Sequence, residues 1–370
     1  MLISIKKEFM FAIATTVLLG LGSTVAKAQQ TVDYGKVGDP VKLVVGYQPY
    51  YTEAWSGVVM RGKKFYEKYL PKGSTVEFQV GLQGSIIVNN MLAAKQHIGY
   101  MGDMPAIVST TKSEVADIRL VAVLGLGQDQ CNVVLTRTDA PAFKSPSEAM
   151  KWMNGKTIAA PKGACTDRFV QETLRKENVK PDAYLNQNIE VITSNFRAKK
   201  IDAAAIWEPT ASRLVEEGLA KRVASGYSFG ISDGGFLAMR ADLIKSRPDV
   251  AQAWLNAELD AQLFMADPKN AKEVIDIAMS QTTGFTRTTM MKALYGAYPD
   301  QKDSKVRFTL PYTFTPESRE LITNATAFLK EIKTINVDKL KPDALVSEFA
   351  DKALQARNMK APLGSIPVLK

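Results

Sequence analysis

The chain has 370 residues, 46% of them hydrophobic, and 47 Lys and Arg against 38 Asp and Glu give a net charge of +9. That length can bury a large core and exceeds the usual size of one domain, so two lobes are expected. The basic residues are scattered (Arg61 to Lys64, Lys199-Lys200, Lys221-Arg222) with no aromatic sheet motif among them, which argues against nucleic-acid binding. One histidine and two cysteines without a Cys-x-x-Cys spacing argue against a metal site, and no cofactor motif is present.

Residues 1–28 read as a secretory signal. Lys6 and Lys7 form a basic start, Phe9 to Gly22 an apolar stretch too short for a membrane span, and Ala26-Lys27-Ala28 a small-x-small cleavage site. No cysteine stands near Ala28 to accept a lipid anchor, so a free protein of the Gram-negative periplasm is expected, cleaved near Ala28. From Val41 onward strand and helix patterns alternate, the signature of parallel or mixed sheets with helices on both faces. Val41 to Tyr47 reads as a strand, Trp55 to Tyr69 as a helix, Ser74 to Val80 as a strand and Ile86 to Gln96 as a helix. Ile98 to Met101 follows as a short strand, and Gly102-Asp103-Met104-Pro105 turns into a helix over Ala106 to Thr111. Leu120 to Leu124 is a strand that Gly125-Leu126-Gly127 interrupts, and Asn132 to Thr136 resumes it as a crossover to a second lobe.

After the loop Pro141 to Ser147 a second alternating set begins, with strands at Thr157 to Ala160, Ile189 to Ile192, Ala203 to Ile206 and Arg222 to Ala224. Phe236 to Met239 is a strand that returns to the first lobe. Helical patterns then cover Val250 to Phe264, Ala271 to Met279, Thr288 to Tyr298, Glu317 to Ile332 and Ala344 to Ala356, and the tail from Arg357 is expected to fray. The expected organisation is residues 29–130 and 236–370 as one lobe with C-terminal helices, and 131–235 as the other.

Two strand–turn–helix units carry the chemistry. Gly81-Leu82-Gln83-Gly84-Ser85 opens one helix, and Lys162-Gly163-Ala164-Cys165-Thr166 opens another about eighty residues later. Unpaired N–H groups and the summed peptide dipole make a helix start favourable for an anion, and glycine lets the ligand approach the backbone. Cys131 and Cys165 form an even pair in an oxidising compartment. A disulfide is the first reading, with two buried thiols or a metal pair as the others.

The segments Gly46-Tyr47-Gln48, Gly81 to Ser85, Gly99-Tyr100-Met101-Gly102-Asp103-Met104-Pro105 and Asp202-Ala203-Ala204-Ala205-Ile206-Trp207-Glu208-Pro209, in that order, resemble the periplasmic substrate-binding proteins of ABC importers for nitrate, sulfonates and taurine. The resemblance covers roughly residues 41–335. It implies an α/β, bilobal type II periplasmic-binding fold with two crossover strands and ligand held between the lobes. It also implies delivery to an inner-membrane permease with a cytoplasmic ATPase. The chain departs from the family in its aromatic Gln48 to Trp55 segment and in Ala164-Cys165-Thr166, where a serine-rich turn is commoner.

Strand ends of an open α/β sheet aim their loops into the crevice, which gathers Gln48, Gln83, Gly84, Ser85, Cys165 and Thr166 as donors to a small organic anion. Ser85 and Thr166 read equally as simple helix caps. Asp103 and Glu208 could meet a cationic end of the ligand, or could sit at helix starts for the dipole alone. Tyr50, Tyr51, Trp55 and Trp207 read as an aromatic wall or as core. No turnover is expected and a monomer is expected. His97 reads as a packing residue, and no nucleophile elbow or Walker loop is present. The alternatives are an exported enzyme, or a relative of pyrimidine-precursor synthases using Cys165 as nucleophile, and a binding protein read by a receptor.

Overall fold

Residues 31–298 and 304–369 are described by the computed structural model; the signal segment 1–28 lies outside them. In chain order the strands are β1 Lys42–Tyr47, β2 Thr75–Val80, β3 Ile98–Gly102, β4 Ile118–Gly127, β5 Val133–Arg137, β6 Thr157–Ala160, β7 Ala183–Asn186, β8 Ala203–Ile206, β9 Ala220–Ser225, β10 Asp233–Arg240, β11 Val306–Thr309 and β12 Ser365–Pro367. They form two mixed sheets, one of seven strands ordered β12-β11-β4-β10-β3-β1-β2 and one of five ordered β7-β6-β8-β5-β9. Helices lie between the strands, so the fold is α/β and bilobal, and the chain leaves the larger sheet after β4 and returns at β10.

Strand composition explains the layering. In β3 every residue is buried, as is every residue of β8 and of β10, the pattern of strands covered on both faces. In the larger sheet β1 pairs parallel with β2 and β3, while β10 runs antiparallel to β3 and β4. Gly46 and Gly99 are register partners in β1 and β3. A β-carbon on Gly46 would stand 2.3 Å from the Gln96 side chain, and one on Gly99 2.7 Å from Met91 Sδ. Only glycine lets the helix Gly84–Leu92 settle so closely on these strands. That packing sets where the helix begins, at the carboxyl end of the sheet.

Several local expectations change. Ile189 to Ile192 is the start of the helix Ile189–Arg197, capped by Asn188, whose side chain accepts from Val191 N–H; the fourth strand of that region is β7 instead. The glycines at 125 and 127 do not interrupt β4, which runs unbroken for ten residues. A β-carbon on Gly125 would meet the Glu53 side chain at 2.6 Å and the Phe308 ring at 2.9 Å, so glycine is there for close approach. The helix after Trp55 spans Ser56–Lys63 and stops at Lys64, which is left-handed at φ 54°. The tail contributes β12 to the larger sheet, paired antiparallel with β11. The last helix is Glu348–Ala356.

Candidate binding cleft

The two turns singled out by sequence face one space. A cavity of about 200 Å³ is lined by Gln83, Gly84 and Ser85 from the first turn and by Lys162, Gly163 and Ala164 from the second, with Trp207 between them. It leads toward a small inner space of about 30 Å³ bounded by Gln48, Tyr51, Gly102, Cys131, Cys165 and Trp207. The walls come from both sheets, since the first turn follows β2 and the second follows β6.

Both helices begin without a side-chain cap. Gln83 and Ala164 occupy the cap positions in extended conformation and neither side chain bonds the helix. The helices Gly226–Phe229 and Pro316–Glu331, by contrast, are capped by Ser225 and Thr315. Ser85 and Thr166 are therefore each second in their helices and are not the caps. The N–H groups of Gly84, Ser85, Cys165 and Thr166 make no hydrogen bond among the described residues. Orphan donors at two dipole-positive ends, Gly84 and Ser85 beside the larger space and Cys165 beside the inner one, suit the oxygens of an anion. Gln48, buried at 4% exposure, leaves its side-chain oxygen unbonded beside the inner space.

The remaining candidates divide. Tyr51 and Trp207 line the cavity, and Trp207 Nε1 donates to the Tyr50 carbonyl at 3.0 Å, fixing the ring across the two lobes. Tyr50 itself stands outside, with its ring 5.9 Å from that of Phe285. Trp55 is core: fully buried, its Nε1 bound to the Pro49 carbonyl at 2.9 Å. Thr166 is fully buried behind the cavity wall. Cys131 and Cys165 are joined by a disulfide with Cα atoms 6.0 Å apart, tying the outgoing crossover to the second helix start.

Asp103 and Glu208 do not reach the cavity, because remote arginines hold both. Asp103 accepts from Met104 N–H at 2.6 Å and lies 3.6 Å from Arg168 of the second lobe. Burial pushes its carboxyl up to about 6, against the opposing pull of Arg168 and of the Met104 N–H. Glu208 accepts from Arg222 at 2.9 Å, Tyr298 at 2.8 Å and Ser212 N–H at 2.9 Å. Asp129 joins this network between Arg222 and Arg307, each at 2.8 Å, and Arg222 stacks 3.8 Å from the Tyr298 ring. Gly102, at a strand end that the crevice rule places in the cleft, does line the inner space, while sequence reasoning missed Pro105, Asn89 and Thr334 as cavity residues. Pro105 stood in a quoted motif, while Thr334 comes from beyond the fourth C-terminal helix and had no local signal. A larger cavity of about 530 Å³ lies elsewhere between the lobes. Glu172, Glu317, Glu320 and Glu331 line it beside Arg168, a surface that repels anions.

The two sheets and the paired helix starts define a two-lobed α/β protein with a cavity between the lobes, and the comparisons give its family. The chain belongs to the NMT1-like family, whose profile matches residues 37–279. A curated relative from Brucella abortus (strain 2308), named only as a binding protein, is 24% identical over 247 residues, 65% of this chain and 72% of its own. Among solved structures, the alkanesulfonate-binding protein SsuA from Xanthomonas axonopodis pv. citri, bound to MOPS, superposes with a TM-score of 0.66 at 17% identity over 84% of this chain and 99% of its own. The periplasmic nitrate-binding protein NrtA from Synechocystis PCC 6803 gives 0.62 at 17% over 86% and 89%. The desulfurization enzyme DSZB gives 0.60 at 14% over 85% and 99%. At these identities the structures show a shared fold. Among the described residues no helix is long and apolar enough to cross a membrane.

Proposed function

We propose that this chain is the periplasmic solute-binding component of an ABC importer, which captures a small organic anion of sulfonate type and passes it to a membrane permease with its ATPase. In this reading the lobes are residues 29–130 with 236–370, and 131–235, and the leader to Ala28 is removed on export. The observation that carries the reading is the meeting of two uncapped helix starts, one from each sheet, at a single cavity. A desolvated anion needs several donors, and the four orphan N–H groups with Gln48 and Gln83 supply them. Tyr51 and Trp207 give the organic part an apolar surface that nitrate or sulfate would leave unused.

An enzyme on this fold has less support: the Cys165 sulfur is held in a disulfide, so it offers no thiolate. A thermal-shift and calorimetric panel of ethanesulfonate, arylsulfonates, phosphonates, carboxylates, nitrate and uncharged heterocycles tests the reading. An organosulfonate should bind best and be recovered unchanged by mass spectrometry. Preference for nitrate or a neutral compound, or conversion of the bound compound, would overturn it.

A further inference from the structure

Behind Tyr51 the inner space backs onto two carboxyl groups from distant parts of the chain. Glu53 follows the cavity loop and Asp233 begins β10 at the return crossover; neither is exposed beyond 1%. Each has one oxygen committed. Tyr51 Oη donates to Glu53 Oε2. Asp233 Oδ2 accepts from the N–H groups of Cys131 and Asn132 at 2.8 and 2.9 Å, so it joins the two crossovers. The other oxygens, Glu53 Oε1 and Asp233 Oδ1, are buried with no hydrogen-bond partner among the described residues. Both stand 3.2 Å from the point where a β-carbon on Gly127 would be, so they face one small volume.

We propose that Glu53 and Asp233 share a single proton between Oε1 and Oδ1, and that this protonated pair pins the two crossovers to the wall of the binding cavity. Two ionised carboxylates cannot both persist in so dry a place, whereas one proton turns their repulsion into a short charge-assisted bond. The other ionisable groups around them do not supply a neutralising cation. Asp103, from the helix Asp103–Thr110, is paired with Arg168, and Asp129 is paired with Arg222 and Arg307. Tyr51 donates to the far oxygen and stays neutral, its phenol held well above the ordinary range by burial and by Glu53. Burial first, then the charge of Asp233, raises Glu53 well above the carboxylate range, and burial raises Asp233 to about 7.

The sign follows. The folded pair keeps a proton that the unfolded chain releases near pH 4, so its contribution to stability is complete in acid and falls as pH rises above about 4 until the pair ionises, which burial and the neighbouring carboxyl hold well above the ordinary carboxylate range. Loss of that proton loosens the crossovers where they meet the cavity wall.

The test needs no ligand and so stands apart from the proposed function. In Glu53→Gln the amide oxygen can accept from Tyr51 while its N–H donates to Asp233, which imitates the protonated pair. The melting temperature of the full processed chain carrying Glu53→Gln, relative to wild type, should rise by about 3–5 °C between pH 5 and pH 8. A difference that is flat or falls with pH overturns the proposal. If the variant does not fold, infrared titration of the wild type decides. A protonated carboxylic C=O band above pH 6 that is present in wild type and missing from Asp233→Asn supports the shared proton, and a wild-type band that Asp233→Asn leaves unchanged, or no band at pH 6, overturns it.

Discussion

The two helix starts at the cavity share a geometry but differ in how they are held. At Gly84-Ser85 the turn is open: Ser85 is exposed, and the glycine is fixed only by packing, since a β-carbon on Gly84 would stand 2.3 Å from the Pro105 ring. At Cys165-Thr166 the turn is braced. Asp167 accepts from Gly163 N–H at 2.8 Å and from Gln171 at 2.7 Å, Lys162 N–H is bound to Asn186 at 3.0 Å, and Cys165 is bonded to Cys131. One wall is therefore pre-shaped, while the other presents donors to whatever enters. Preorganisation on one side lowers the ordering cost of binding, and the adaptable side leaves room for ligands of different tail.

Trp55→Ala should destabilise the fold by about 3–5 kcal/mol, as for a large core aromatic, with little change in affinity among the molecules that stay folded. Denaturant unfolding with parallel ligand titration checks this, and a selective loss of binding would put Trp55 back in the cavity. Removing the brace by the double replacement Cys131→Ser, Cys165→Ser should cost about 4 kcal/mol of stability for a loop of this length. It should also weaken ligand, whereas an unchanged affinity would mean that the second turn holds its shape without the bond. Trp207→Ala should weaken an organic anion by about 1–3 kcal/mol through lost apolar contact, measured by calorimetry, and should spare stability more than Trp55→Ala does. The smallest effect is expected at Thr166→Val. Its hydroxyl is buried and unbonded, so an apolar replacement of like shape should leave ligand affinity unchanged and raise stability by up to about 1 kcal/mol.

What the sequence disclosed was local. The strand–glycine–helix units around Gly84 and Gly163 were legible because glycine, turn and helical period all fall within a dozen residues. The crossover was read from a glycine interruption that β4 does not have, and the strand that returns to the larger sheet begins at Asp233, ahead of the expected Phe236. Ile189 to Ile192 misled because three β-branched residues outweighed the Asn188 cap that starts a helix there. The edge strand β12 and its neighbour β11 carry too few residues for a period to show, and β12 ends in proline. Asp103 and Glu208 could not be judged from sequence, since their fate depends on Arg168 and Arg222, which only the tertiary fold brings to them. The aromatic run Tyr47 to Trp55 split between core and cavity for the same reason.

The central claim is that both helix starts grip one anion, and a crystal structure of the protein grown with ethanesulfonate tests it most directly. The sulfonate oxygens should lie within hydrogen-bond distance of N–H groups from both Gly84-Ser85 and Cys165-Thr166, with the ethyl group against Trp207. A sulfonate held by one start alone, or seated in the glutamate-lined cavity beside Arg168, would contradict the account.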